Sequence, residues 1–208
     1  MDIKELINNL DSESKLNSTI DLLCDIVVET DSELTKKLSD LILKPERVGN
    51  PVKFSEILVS FSHSEFIEPL KKMINESNYP KDKWLSDYLF ALSEILDNSE
   101  ILFEADNIFV EKVGSLVFES GGGEVSMMAS ALLANIKNEH TREYLRKGVM
   151  DKNLFEVTRS FCVNGLVNQY GEEEREFIQS FSDDPEEEFR HHITEAIEYL
   201  NKKRMQPL

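Results

Sequence analysis

The stretch Asp184 to Leu200, DPEEEFRHHITEAIEYL, sets two adjacent histidines among carboxylates. On a helix His191 shares a face with Glu187, Glu188 and Glu195, and a His/Glu pair four residues apart can supply two ligands to a transition metal. A closed site needs further donors. The other histidines, His63 and His140, lie far away in sequence. His191 and His192 are therefore read as solvated or partner-contacting, and no metal is assigned. The glycine run ESGGGEVS, residues 119–126, opens a predicted helix, where backbone amides can cradle phosphate. It lacks the Lys-Ser/Thr pair of a P-loop, and Glu119 and Glu124 would repel an anion, so it reads as an interhelical loop.

The remaining reactive residue types form no constellation. There is no GxSxG, HExxH, CxxC or EF-hand loop, and no Cys/His pairing suited to a nucleophile. Cys24 and Cys162 stand in the apolar contexts DLLCDIV and RSFCVNGLV and are expected to be buried thiols. Paired carboxylates are too common here to indicate acid–base catalysis. Met127 and Met128 in SMMASALL could line an adaptable groove, but Met128, Leu132 and Leu133 fit a buried stripe. The expectation is a protein that is not an enzyme and carries no cofactor.

Charge gives a positive indication. The 208 residues hold 23 Lys and Arg against 40 Asp and Glu, a formal net charge of −17. The excess is concentrated: residues 84–136 carry nine acidic side chains against Lys112 alone, and residues 171–188 carry nine against Arg175. Such a field repels phosphate backbones and attracts basic partners. With Trp84 the sole tryptophan, nothing resembles a basic, aromatic nucleic-acid groove. No stretch is apolar enough for a membrane span, and MDIKELINNLDSESKL has none of the features of a signal peptide, so a cytoplasmic location is expected.

The elements that must position these residues repeat. Leu22-Leu23, Ile57-Leu58, Ala91-Leu92, Leu132-Leu133, Gly165-Leu166 and Ala196-Ile197 each centre a predicted helix, with first members 35, 34, 41, 33 and 31 residues apart. Four positions on stand Ile26, Phe61, Ile95, Ile136, Gln169 and Leu200; three positions back stand Thr19, Phe54, Tyr88, Ala129, Cys162 and Ile193. These positions make one helical stripe, polar only at Thr19 and Gln169. A second set of amphipathic helices precedes each of them, separated by breaks such as Gly49-Asn50-Pro51 and Asn78-Tyr79-Pro80, with Ser64 and Asn138 as expected N-caps between units. A helical pair of this size buries its apolar face only by stacking on its neighbours.

The last third of the chain resembles the HEAT repeat, whose second helix reads Asp-Pro, polar residues, a hydrophobic residue and Arg, two variable positions, then small and apolar residues. Asp184-Pro185, Phe189-Arg190, Ile193, Ala196, Ile197 and Leu200 follow that order, with Arg159, Cys162, Gly165 and Leu166 matching at an offset of 31. Earlier units lack the arginine, with Leu85 and Ser126 in its place. The resemblance implies an all-α, HEAT/ARM-like superhelix of about six helical hairpins, roughly 1–29, 31–62, 64–97, 104–136, 138–169 and 171–204, in a single domain over residues 1–208, with second helices lining the concave side. It also implies a habit of binding proteins and no activity.

The functional expectation is a non-catalytic module that holds a basic protein partner against an acidic surface, such as an immunity or antitoxin-type inhibitor of a nuclease toxin. The alternative is an adaptor or assembly scaffold. Candidate partner contacts are Asp87, Glu94 and Asp97 on the second helix of the third unit, with Glu104 and Asp106 in the connection after it. The sequence leaves the oligomeric state open.

Overall fold

The computed structural model describes residues 3–25, 31–98, 103, 105–119 and 123–205, and among these the fold is all-α, with no strand. In chain order come α1 (Ile3–Asp11), α2 (Leu16–Asp25), α3 (Ser32–Ile42), α4 (Pro51–Phe61), α5 (Ile67–Glu76), α6 (Leu85–Asn98), α7 (Asn107–Glu119), α8 (Glu124–Leu133), α9 (Glu139–Met150), α10 (Glu156–Tyr170), α11 (Arg175–Gln179) and α12 (Glu187–Met205). Short 3₁₀ turns occupy Pro45–Arg47, Ser64–Phe66 and Gly171–Glu174. The chain divides into two compact units, residues 1–102 and 103–208.

In the first unit α1 packs on α2 and α3, α3 on α5, α2 on α4, and α6 on both α4 and α5. In the second, α7 packs on α8 and α9, α10 on α8, α9 and α12, and α11 on α12. Alternate helices thus touch in rows within each unit, because each presents an apolar stripe that its sequence partner alone does not cover.

The stripe accounts for the cores. Phe54, Ile57 and Leu58 in α4, Tyr88, Ala91, Leu92 and Ile95 in α6, Ala129, Leu132 and Leu133 in α8, and Ile193, Ala196 and Leu200 in α12 are all buried. Its two polar exceptions find main-chain carbonyls for their donors, although the buried Gln169 Oε1 has no partner among the described residues. The Thr19 hydroxyl donates to the Lys15 carbonyl at 2.9 Å. The Gln169 amide donates to the Leu133 carbonyl at 3.0 Å and also to that of Ala134. A polar side chain is tolerated in a core when it finds such partners. In α2 the buried set is instead Leu16, Ile20 and Leu23, with Leu22 half-buried.

Helix starts follow capping chemistry. Asp31 accepts from Glu33 and Leu34 at the start of α3, Asn50 accepts from Lys53 with Pro51 in the first turn of α4, and Asn138 accepts from Thr141 at the start of α9. Ser64, expected as a cap, lies inside the 3₁₀ turn, and the residue before it takes that role: His63 Nδ1 accepts from the Glu65 amide at 3.2 Å. Two further expectations need correction. Cys24 is exposed while Cys162 is buried: Leu16, Ile20 and Leu23 fill the packed face of α2, and Cys24 stands at its edge beside the Lys53 carbonyl. Met127 and Met128 are only half-buried, since Ser126, Ala129 and Ser130 occupy the packed face of α8.

Close helix approach in the second unit depends on small residues. A Cβ at Gly165 would stand 2.9 Å from the Ala134 Cα, and one at Gly148 would stand 2.5 Å from the Cys162 sulfur. These glycines let the backbones of the packed helices approach one another.

Candidate functional site

The acidic stretch 171–188 is largely engaged by the protein itself. Glu174, with a fully buried side chain, accepts from Arg142 Nε at 2.5 Å and from Arg146 Nε at 2.8 Å. Arg142 also reaches Glu173 at 3.2 Å, and Arg175 pairs with Glu172 at 2.6 Å. The two α9 guanidiniums sit over aromatic rings, Arg142 over Tyr170 and Arg146 over Phe177. Arg142 is pushed above its ordinary pKa chiefly by the hydrogen bond to Glu174, and Glu172 is held below its ordinary value chiefly by the hydrogen bond from Arg175.

A second arginine cluster ties α10 to the start of α12. Arg159 has no solvent exposure; it donates to the Val149 carbonyl at 3.1 Å, pairs with Asp184 at 2.8 Å and Glu186 at 2.6 Å, and lies 3.7 Å from the centre of the Phe189 ring. Asp184 is held below the usual carboxylate range chiefly by the hydrogen bond from Arg159. Arg159 thereby also satisfies a carbonyl near the end of α9. Ser126, at the equivalent place in α8, does the same for α7 by donating to Val117 at 2.5 Å. The absence of arginine from the earlier unit thus leaves the backbone contact intact.

The expected contact residues fall in different settings. Asp87 and Glu94 are half-buried on α6, and Asp97 is exposed near its C-terminal end. Asp106 is exposed, and its carboxylate caps α7 by accepting from the Phe109 amide at 2.8 Å. Glu104 lies outside the described residues. Asp87, Glu94 and Asp97 thus share one helix of the first unit, while Asp106 belongs to the second and has a structural task of its own.

His191 and His192 each lie beside Glu195, at 3.3 and 3.5 Å. Among the described residues no group of three or more His, Cys, Asp or Glu could hold a metal. Burial pushes the Cys162 thiol up to about 12, which makes it a packing residue rather than a nucleophile. No helix is long and apolar enough to cross a membrane among the described residues.

The sequence reading did not anticipate a cavity of about 520 Å³ in the second unit, formed by the segment from Lys152 to Val157, which runs into the first turn of α10, and the beginning of α12. Glu156, Glu186 and Glu188 bring negative charge to it, His192 adds an imidazole, and Phe155 stands 60% exposed beside them. One signal was available: at the 31-residue offset of the last two units, Phe155 and Val157 fall in register with Glu186 and Glu188. Loops in register on packed neighbours come together.

Among solved structures, the chain is similar to a crystal structure described only as an engineered protein, a Northeast Structural Genomics Consortium target. The identity is 15%, the match covers 97% of this chain and 98% of that one, and the TM-score is 0.50. At that identity the likeness concerns the fold alone. No family model matches the chain, and no curated protein matches it.

Proposed function

We propose that this protein is a non-catalytic protein-binding module that holds a basic partner against an acidic surface, in the manner of an immunity or antitoxin-type inhibitor of a cationic toxin in the cytoplasm. The architecture proposed with it is a HEAT-like solenoid of about six helical hairpins that runs through both units as a single domain. The rows of alternate helices within each unit and the Arg159–Asp184 contact at the HEAT-like positions support that architecture.

One observation carries the functional reading. Helix α6 buries Leu85, Tyr88, Leu89, Leu92, Ile95 and Leu96, yet sets Glu94 half-exposed and Asp97 exposed on the rest of its surface, and neither carboxylate enters an ion pair among the described residues. By contrast, arginines already engage five acids of the 171–188 stretch. Acidic groups not neutralised within the chain strengthen long-range attraction to a basic surface and discriminate by charge.

The test is affinity capture from lysate at low and high salt with the full chain and a Glu94→Lys/Asp97→Lys variant. The proposal expects one small basic protein, retained at low salt, lost at high salt and lost from the variant. Salt-resistant retention of a larger assembly, unchanged in the variant, would instead establish the adaptor or scaffold reading.

A further inference from the structure

We propose that the cavity between the Lys152–Val157 segment, which enters α10, and the start of α12 is a receptor for an arginine side chain presented by a protein partner. Its volume of about 520 Å³ lies within the range of sites that enclose small ligand groups. Its lining combines two chemistries. Leu154, itself buried, and the exposed Phe155 and Val157 supply apolar surface, whereas Glu156 and Glu188 supply carboxylates.

The two carboxylates are not equivalent to the other acids nearby. Glu186 is committed to Arg159 at 2.6 Å. Glu156 and Glu188 form no ion pair among the described residues, and both line the same cavity. Two like charges so placed repel one another, and an external cation between them relieves that repulsion. The hydrogen bond to Glu188, with its repulsion, raises Glu156 above its ordinary pKa.

The aromatic ring selects among cations. A guanidinium is planar: its fork can bridge two carboxylates while its face lies on the Phe155 ring, as the guanidinium of Arg159 lies on Phe189 within the same unit. A lysine ammonium is a compact point charge that cannot satisfy both geometries together. A metal ion would leave Phe155 and Val157 without a role. These exposed apolar groups beside the carboxylates are the surface a protein partner would cover around its arginine.

The titratable groups facing Glu156 are Glu188, Glu186 and His192 from the α12 side, and Lys152 from the loop before α10 also lines the cavity. Bound arginine favours the ionised form of Glu156, so affinity rises as pH increases through the raised Glu156 value.

The arginine pocket rests on the protein-binding reading only for the identity of what carries the arginine. Its test therefore uses a minimal probe: the full chain, isotope-labelled, titrated with acetyl-Gly-Arg-Gly-amide, with the citrulline and lysine tripeptides for comparison. The expected result is saturable shifts confined to residues 152–157 and 186–192, absent with citrulline and weaker with lysine. Binding should weaken about tenfold or more in Glu156→Gln/Glu188→Gln, the loss of charge-assisted hydrogen bonds. Glu188 is exposed and Glu156 half-buried, and neither belongs to the core, so the variant should keep the wild-type spectrum elsewhere. Shifts scattered over other acidic surfaces, equal response to citrulline or lysine, or no saturable shift would overturn the proposal. Tripeptide binding without capture of a basic protein would sink the functional reading alone, and capture without tripeptide binding would sink the pocket alone.

Discussion

Replacing Arg159 with Met is the sharpest test of how the second unit is held together. The guanidinium is enclosed by Val149, Asp184, Glu186 and Phe189, and its side chain and that of Asp184 are 0% and 2% exposed. Met retains most of the apolar stem and adapts to irregular space, so little cavity is created and the change reports mainly the lost charge. Removing one partner of a buried ion pair costs about 3–5 kcal/mol, because the other charge is left in a poorly solvating site. That is a large part of the roughly 5–15 kcal/mol that stabilises an ordinary domain.

Urea unfolding followed by far-ultraviolet circular dichroism near pH 7 should show that loss in Arg159→Met. The double variant Arg159→Met/Asp184→Asn should be less damaged than the sum of the single ones by about 2 kcal/mol, since it leaves no buried charge uncompensated. The pH dependence follows from Asp184. Its folded-state pKa is depressed, so its contribution is fully present above the ordinary carboxylate value and is lost as pH falls through the lower folded value. In Arg159→Met the carboxyl is buried without a cation and its pKa rises above the ordinary value. The gap between wild type and variant should therefore be widest near neutral pH and narrow on acidification. A loss under about 1 kcal/mol at neutral pH, or strictly additive single and double variants, would refute the account.

Two other predictions follow from packing. Gly165→Ala should destabilise by about 1–3 kcal/mol despite alanine's better helix propensity, because its Cβ meets the Ala134 backbone; a more stable variant in urea would show that α8 and α10 can part without loss. A maleimide reagent should label Cys24 in the native protein and Cys162 only after denaturation, as mass spectrometry of digested protein would read; prompt native labelling of Cys162 would contradict its burial.

The all-helical character was legible because a stripe at positions three, four and seven apart encodes a buried face directly. Ile57, Ala91, Gly165 and Ala196 lie inside α4, α6, α10 and α12 for that reason. Leu132 and Leu133 instead end α8, because a helix of only ten residues follows the glycine run. Charge was the least legible property. Summing acids along 171–188 treats all of them as solvent-facing, whereas Glu174 and Asp184 are buried against arginines 32, 28 and 25 residues earlier. The cavity was hidden for a related reason: Glu156 and Glu188 are 32 positions apart, and nothing local marks them as neighbours. Asp106 shows the opposite difficulty, since a surface acid and a helix cap look alike until the backbone is in place.

The forward-pointing arginines also limit how such a chain can evolve. Helical arrays lengthen and shorten by duplicating or losing whole repeats, which is tolerated when each boundary offers the same generic apolar contact. At the junction near Gly171 the boundary is individual: Arg142, Arg146 and Arg159 precede it, and Glu174, Asp184 and Glu186 follow it. A repeat inserted there would strand three cations on one side and their carboxylates on the other. The last two helix pairs would therefore have to be exchanged as a single block, whereas the cross-helix ion pairs of the first unit, Lys37–Asp11 and Lys53–Asp21, lie at the surface and would cost little to lose.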